Sequence, residues 1–408
     1  MNFRKLNKNI KLAFLFTAFQ SIGRGIWMGN ILSLYIVLFS EKVNGVFGLS
    51  SNELLGVTAG ISGIAMTLIV FPAGVLADKF RRDKILKIGA FIGLIAMIII
   101  GIAENILLIA LALFLWGAFQ GFNRPAFDSI VADSLPTGDR SKIYSQLHLI
   151  QSGFMASGPF LNIFLFLLFD DKWDISIIKN VMLIGIVFSF LSVFLLFFFR
   201  DDHSMKEESE SLYENNNDIS YSEASRRKKW IPILLITSNL IIGMGAGMTV
   251  KFFPVFFRAV YELKPIAVQI IMGTTFIFTG LIGLKAQKLS MKTGRGKTKL
   301  SVQLAATICL FIIAFYPPLI ILVPIFVMRG SLMNAANPLS RSILMDVVSK
   351  KHRGKWNSLE TIAWGLFWNA SATIGGFLIG NNNFKLCFII TKLYKKVYQK
   401  IKRYSALN

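Results

Sequence analysis

The sequence predicts an all-α integral membrane protein made of two related helical bundles, and three observations carry that prediction. Of 408 residues, 54% are hydrophobic and only 16% are charged, whereas ordinary globular chains are about a quarter charged. The apolar residues gather into runs long enough to cross a bilayer, which takes about 20 residues of helix. The second half of the chain repeats the first at a fixed distance. The same composition excludes other classes. The chain carries 44 Lys and Arg against 22 Asp and Glu, a formal net charge of +22. These cations sit between apolar runs and not on the amphipathic scaffold of a nucleic-acid binder, so no nucleic-acid partner is expected. Disorder needs low hydrophobicity and is excluded too. Cys309 and Cys387 lie inside apolar runs and the three histidines are scattered, so neither a disulfide framework nor a metal site is predicted. No cofactor is expected.

Eleven runs read as spans: 12–39, 54–77, 85–103, 105–132, 143–169, 175–199, 230–257, 265–284, 300–316, 317–345 and 356–380. Several exceed the minimum, which implies tilt or a segment standing in water. The first is a span and not a signal peptide, because Arg24 and Gly25 interrupt it and no small-residue cleavage site follows. Orientation follows from counting Lys and Arg across alternate loops. With the N-terminus in the cytoplasm, the inner segments hold 27 basic residues. The outer ones, as far as the tenth span, hold five: Lys42, Lys172, Lys179, Arg258 and Lys264. Residues 200–229 are rich in Ser, Glu and Asn without apolar periodicity. We read them as a cytoplasmic connector between an N-terminal bundle, 1–199, and a C-terminal one, 230–408.

The repeat appears on shifting the chain by 213 residues. Gly117 then falls on Gly330, Pro125 on Pro338, Ser129 on Ser342, Ile130 on Ile343, Asp133 on Asp346, Arg140 on Arg353, Lys142 on Lys355 and Ser145 on Ser358. These are eight identities in 29 gap-free positions, where roughly two are expected by chance. Arg82 falls on Arg295 and Lys84 on Lys297 as well. Parallel repeats joined by a long inner loop suit a rocker-type carrier with its solute site between the halves, near the midplane.

The loop after the second span, Gly74-Val-Leu-Ala-Asp78-Lys79-Phe-Arg81-Arg82-Asp83-Lys84, resembles the G-x-x-x-D-[RK]-x-G-x-x-[RK] signature of the major facilitator superfamily. Arg81 stands where that pattern has glycine, while its repeat partner is Gly294. The second copy lacks the aspartate instead, with Met291 in its place. The resemblance implies two pseudo-symmetric six-helix bundles. It further implies a latch, in which Asp78 meets the eleventh span and Arg82 and Lys84 meet Asp133 at the end of the fourth. Asp346 is the repeat counterpart of that acid. Lys79 and Arg81 read as solvated loop cations. An antiporter-type glycine signature in the fifth span is incomplete. Gly158-Pro159 is in place, Gly153 is one residue off, and Asn162-Ile163 replaces the closing glycines. The glycines and proline therefore read as packing and kink residues.

Five basic residues lie inside spans: Arg24, Arg124, Lys251, Arg329 and Arg341. Charge within a bilayer is costly, so each marks a candidate site. The resemblance places spans one, four, seven and ten around the central cavity, and each of these carries at least one cation. Such a cavity favours an anionic solute, a carboxylate or phosphate ester. Arg24, Arg124, Lys251 and Arg329 are the solute-cavity candidates, with snorkelling to the headgroups as the alternative for Lys251. Arg341 falls on Asp128 under the repeat, which suggests a gate pair unless Arg124, one turn from Asp128, takes the acid. His148 and Glu360 are weaker candidates for carrying a proton as coupling ion. Asn239, Asn334, Asn337, Gln120 and Gln151 either touch solute or bridge helices.

After Gly380 only Leu386 to Thr391 is uninterruptedly apolar, so the twelfth span looks truncated. Ile390, Leu393, Tyr394, Val397, Ile401 and Tyr404 then mark one face of a basic amphipathic helix suited to a membrane surface. Either this tail folds back, or the chain departs from the twelfth-span pattern near Thr391; we take the second. The expected function is a secondary carrier, monomeric in the lipid bilayer, moving a small anionic organic solute by alternating access. A proton-coupled drug exporter and a non-transporting receptor or scaffold are the alternatives. No nucleophile elbow, phosphate loop or metal cluster suggests an enzyme.

Overall fold

The computed structural model describes residues 6–135, 140–203, 225–347 and 353–391; the side chains of Asp78, Arg341, Asp346 and Glu360 lie outside that description. The protein is all-helical. Among the described residues the sole β feature is an isolated bridge between Val46 and Leu49. The first span runs as α1, Lys8–Ile26, a π-helical turn, Trp27–Ile31, and α2, Leu32–Lys42. It is followed by α3 (Ser51–Lys79), α4 (Arg82–Ile102), α5 (Ile106–Asp133), α6 (Arg140–Phe169) and α7 (Ile175–Leu195). The later part holds α8 (Ser225–Val250), α9 (Phe253–Tyr261), α10 (Pro265–Thr293), α11 (Arg295–Ile313), α12 (Leu319–Val347) and α13 (Arg353–Ile379). A further helix covers 384–391. Among the described residues ten helices are long and apolar enough to cross a membrane. In α13, the eleventh span of the sequence reading, the apolar stretch within the described residues is the shorter Gly365–Ile379.

The helix ends follow local chemistry. Asn7, Asn105 and Asp174 cap α1, α5 and α7 by accepting backbone N–H bonds from Asn9, Leu108 and Ser176. Pro265 opens α10, where its missing N–H costs nothing. Pro72, Pro125 and Pro159 lie inside α3, α5 and α6, a placement membrane helices tolerate when neighbours re-satisfy the freed carbonyls. The turns between helices carry the left-handed residues, Asn44, Phe47, Glu262 and Tyr316 among them.

Two compact units are present, one of residues 1–35 and 58–220, the other of residues 36–57 and 221–408. In the first, α1 packs on α6 and α7, and α4 on α5; in the second, α8 packs on α13, and α12 on α10 and α11. Lipid tails are as apolar as leucine, so these helices associate through close packing and hydrogen bonds and not through hydrophobic burial. A Cβ added at Gly158 would collide with the backbone of Gly25, which is how α6 comes against α1. Gly153 has nothing within 4 Å of such a Cβ. Of the two glycines in the incomplete signature, only Gly158 is a contact residue.

The repeat is visible in the helices themselves. They start at Arg82 and Arg295, at Ile106 and Leu319, and at Arg140 and Arg353, each pair 213 residues apart. One contact also recurs: Gly117 of α5 lies against Ser62 of α3, and Gly330 of α12 against Thr275 of α10. The residues after Gly380 form a genuine packing element. Phe384, Cys387 and Phe388 are buried along one face of the 384–391 helix. Phe388 stacks on Phe253 with ring centroids 5.3 Å apart. The basic amphipathic tail read from the sequence lies outside the described residues.

Candidate functional site

Arg24 sits at a tightly packed part of the first unit. Its neighbours are both contact glycines: Gly23 faces Ser189 and Gly185 of α7, and Gly25 faces Met155 and Gly158 of α6. The arginine between them is partly buried, and its Nε is buried without a hydrogen-bond partner. Arg124 of α5 lies close enough to act on it electrostatically. Two guanidinium groups in one field repel, and low dielectric strengthens that repulsion. Arg124 itself is exposed.

Directly after Arg24 the helix widens into its π-turn. Such a turn breaks the i to i−4 ladder and is frequent at functional positions. Here Asn162 Nδ2 donates to the Ile26 carbonyl at 3.1 Å, and Trp27 Nε1 donates to Ser189 Oγ at 2.9 Å. Trp27 stands edge-on to Trp116, ring centroids 5.5 Å apart. Asn162, which replaces a glycine of the antiporter-type pattern, therefore binds backbone in this protein. Trp27 and Trp116 are both 1% exposed and pack inside the unit.

The loop between α3 and α4 is tied to two other helix ends. Arg82 forms an ion pair with Asp133 at the end of α5, and its backbone N–H donates to Asp201 Oδ2 at 3.4 Å. Arg81 is more engaged than its sequence suggests. It reaches Asp83 Oδ1 at 3.2 Å and Asp202 Oδ2 at 2.9 Å. Its guanidinium is held above the ordinary arginine value by the hydrogen bonds to Asp83 and then Asp202. Lys87 closes on Asp83 at 3.3 Å. Asn9 adds a second seam, donating to Ser134 Oγ at 3.0 Å and to the Arg200 carbonyl at 2.8 Å. Lys84 is exposed. Asp128 is exposed as well, and its carbonyl accepts from Tyr144 Oη at 3.0 Å. The side chains of Asp78, Arg341, Asp346 and Glu360, and with them the Asp128–Arg341 gate pair, lie outside the described residues. His148 is exposed on α6.

In the second unit, Lys251 occupies the break between α8 and α9. Its Nζ donates to Asn369 Oδ1 of α13 at 2.8 Å, so it turns to a helix neighbour and not along its own helix to the headgroups. Arg329 of α12 is 5% exposed; Nη2 lies 3.4 Å from Thr249 Oγ1, and Cζ lies 4.9 Å from the centre of the Phe253 ring. Sequence reasoning missed three polar positions here. Lys299, assigned to an inner loop by its neighbours, is fully buried, and its Nζ donates to Asn239 Oδ1 at 3.3 Å. Asn239 is thus a bridging residue. Asn369 drew no notice because nothing local distinguishes it. Arg258, counted only as an outer cation, forms a two-pronged pair with Glu41 at 2.8 and 2.7 Å. Among the described residues no cluster of His, Cys, Asp or Glu is arranged to hold a metal ion.

Known proteins match this architecture. A bacterial homologue of the human lysosomal transporter Spinster, inward-facing and unoccupied, superposes with a TM-score of 0.72 at 14% identity, covering 98% of this chain and 96% of that one. The nucleoside transporter NupG gives 0.70 at 14% identity, covering 98% and 99%. At these identities the likeness is one of fold. The uncharacterized transporter BU466 of Buchnera aphidicola subsp. Acyrthosiphon pisum (strain APS) is 33% identical over 75 residues, which is 18% of this chain and 19% of that relative's length. The sequence profile of the Major Facilitator Superfamily matches residues 13–336. By that match, which takes in most of the chain, this multi-pass membrane protein belongs to the Major Facilitator Superfamily of transporters.

Proposed function

We propose that the protein moves a small anionic organic solute across the membrane by alternating access, with its N-terminus in the cytoplasm. The observation that carries the anionic reading is Arg24: a membrane-embedded guanidinium whose Nε has no hydrogen-bond partner, in the field of a second guanidinium, Arg124. A carboxylate or phosphate group relieves that repulsion and supplies the missing acceptor, through the charge-assisted bonds for which guanidinium is suited. Lys251 and Arg329 are the solute-cavity positions of the second unit. The loop around Arg82, with Lys84 and its partner acid Asp133, serves as the latch. Asp78, Asp128, Arg341 and Asp346 complete the latch and gate set, and His148 and Glu360 are the positions for a coupling proton. Residues 200–229 connect the bundles 1–199 and 230–408.

Flux into proteoliposomes loaded with purified protein tests this reading. A panel of monocarboxylates, dicarboxylates and phosphate esters should include competitors of one another's uptake, while cationic dyes should not compete. Arg24→Gln should cut anion flux at least ~10-fold, as expected when a charged hydrogen bond to solute is lost. Uptake of cationic dyes with no competing anion would instead make the protein a drug exporter.

A further inference from the structure

Four lysines gather at the turn between α10 and α11, and no acid stands near them in the chain. Lys285, Lys288 and Lys292 lie in the last turns of α10 and Lys297 in the first turn of α11; all four are exposed. Between Glu262 and Asp346 the sequence has no Asp or Glu. Among the described residues none of the four takes part in an ion pair. The equivalent turn of the first unit is built differently. There Arg81 and Lys87 share Asp83, and Arg82 meets Asp133. Under the 213-residue shift Lys79 and Lys84 fall on Lys292 and Lys297, whereas Asp78 and Asp83 fall on Met291 and Gly296. Lys285 and Lys288 fall on Pro72 and Val75, so they have no cationic counterpart at all. Like charges gathered without acids repel one another, and an anion from outside the chain relieves that repulsion.

The shape of α10 decides which anion. Lys285, Lys288 and Lys292 are spaced i, i+3 and i+7 and share one face of the helix. The stretch they occupy is roughly 10 Å along the axis, so their flexible stems can close on one headgroup. Four and seven residues before Lys288 on the same face stand Leu284 and Leu281, and eleven before it Ile277. These three are 61%, 52% and 51% exposed. The opposite face carries Ala286 and Ser290, both buried, and Ala286 packs in a cluster with Val302 of α11 and with Ala335 and Ala336 of α12. One outward stripe of a membrane-length helix therefore passes from apolar to cationic at its end. The turn itself is open, since a Cβ added at Gly294 or Gly296 meets nothing within 4 Å.

From this arrangement we propose that Lys285, Lys288 and Lys292, with Lys297 across the turn, bind the headgroup of an anionic phospholipid whose acyl chains lie along Ile277, Leu281 and Leu284. Clustered cations at the end of a span are the feature that anionic headgroups recognise. The lipid neutralises the turn and anchors the end of α10 at the bilayer surface. The site is independent of which solute the protein moves.

The test uses the full chain, purified in detergent, with lipid binding followed by native mass spectrometry. Phosphatidylglycerol should bind at least ~10-fold more tightly than phosphatidylcholine of the same acyl chains, and raised salt should narrow the difference. Replacing the four lysines together, as Lys285→Gln, Lys288→Gln, Lys292→Gln and Lys297→Gln, should abolish the preference. The pair Lys288→Gln with Lys292→Gln, which serves if the fourfold variant does not fold, should weaken phosphatidylglycerol binding by roughly 5-fold per lysine. A control that removes four exposed lysines elsewhere, Lys8, Lys42, Lys172 and Lys264, each to Gln, should keep the preference. Inorganic phosphate and the deacylated headgroup, glycerophosphoglycerol, should not compete, because they lack the chains. The proposal is overturned by equal binding of the two lipids to the wild-type protein, or by a lysine-stripe variant whose preference is unchanged. It is equally overturned by a control variant that loses as much, or by full competition from either chain-free anion.

Discussion

At the scale of single residues, the two glycines of the incomplete span-five signature predict opposite outcomes. A side chain at Gly158 would press on the Gly25 backbone, and backbone cannot step aside as a flexible side chain can. Gly158→Ala should therefore destabilise the protein by about 1–3 kcal/mol, the usual cost of overpacking. Gly153→Ala meets nothing within 4 Å and should be neutral or slightly stabilising through helix propensity. Thermal unfolding of both variants in detergent, side by side, decides the matter; equal effects would contradict the packing described. Residues of this kind mark where reading the sequence succeeds and where it stops. Arg24 could be singled out because a charge within an apolar run is conspicuous in one dimension. Arg81 could not, because Asp202, its partner, is 121 positions away. Lys299 misled for a related reason. It stands among exposed basic residues in sequence, yet only the arrival of Asn239, 60 residues off, shows that it is buried.

At the scale of elements, the apolar runs and their caps were legible because a bilayer imposes a length and leaves backbone hydrogen bonds no partner but the helix itself. The interruptions were not. The π-turn at Trp27–Ile31 and the break before Phe253 arise from side chains of other helices meeting freed backbone groups, which periodicity does not encode. The α3–α4 loop is another case, since its shape depends on the segment after α7. Here we expect Arg81→Asp and Asp202→Arg each to speed hydrogen exchange and proteolysis around residues 80–84 and 196–203, because each replaces the Arg81–Asp202 ion pair with like charges. The double variant, Arg81→Asp with Asp202→Arg, should recover much of the protection. Failure of the double variant to recover would show that the pair does not hold the loop. The Asn9 seam, which joins the same region through neutral groups, should keep the unit folded in all three.

At the scale of the molecule, the +22 net charge is a statement about sidedness before it is one about binding. The ratio of 27 to five basic residues across alternate loops predicts that a cysteine placed in the 200–229 segment of a chain freed of Cys309 and Cys387 is shielded from impermeant thiol reagents in intact cells. One placed at Lys172 should be labelled. Labelling of the first would invert the topology. The superfamily and the helical architecture were within reach of the sequence because duplication wrote the same pattern twice. The charges of the second unit were not, because Thr249 and Phe253, which meet Arg329, come from the broken seventh span, 80 residues away in the chain for Thr249. Duplication has a further consequence. The two turns at equivalent positions of the repeat differ: Gly294 holds φ at 87°, where a side chain is strained, whereas Arg81 stands at −57°. The second turn is thereby committed to glycine for as long as it keeps that shape. The first is free of that constraint, and its position can carry a side chain that makes contacts, as the reach of Arg81 to Asp83 and Asp202 illustrates. Of two equivalent turns, only one can carry a side chain without changing its backbone.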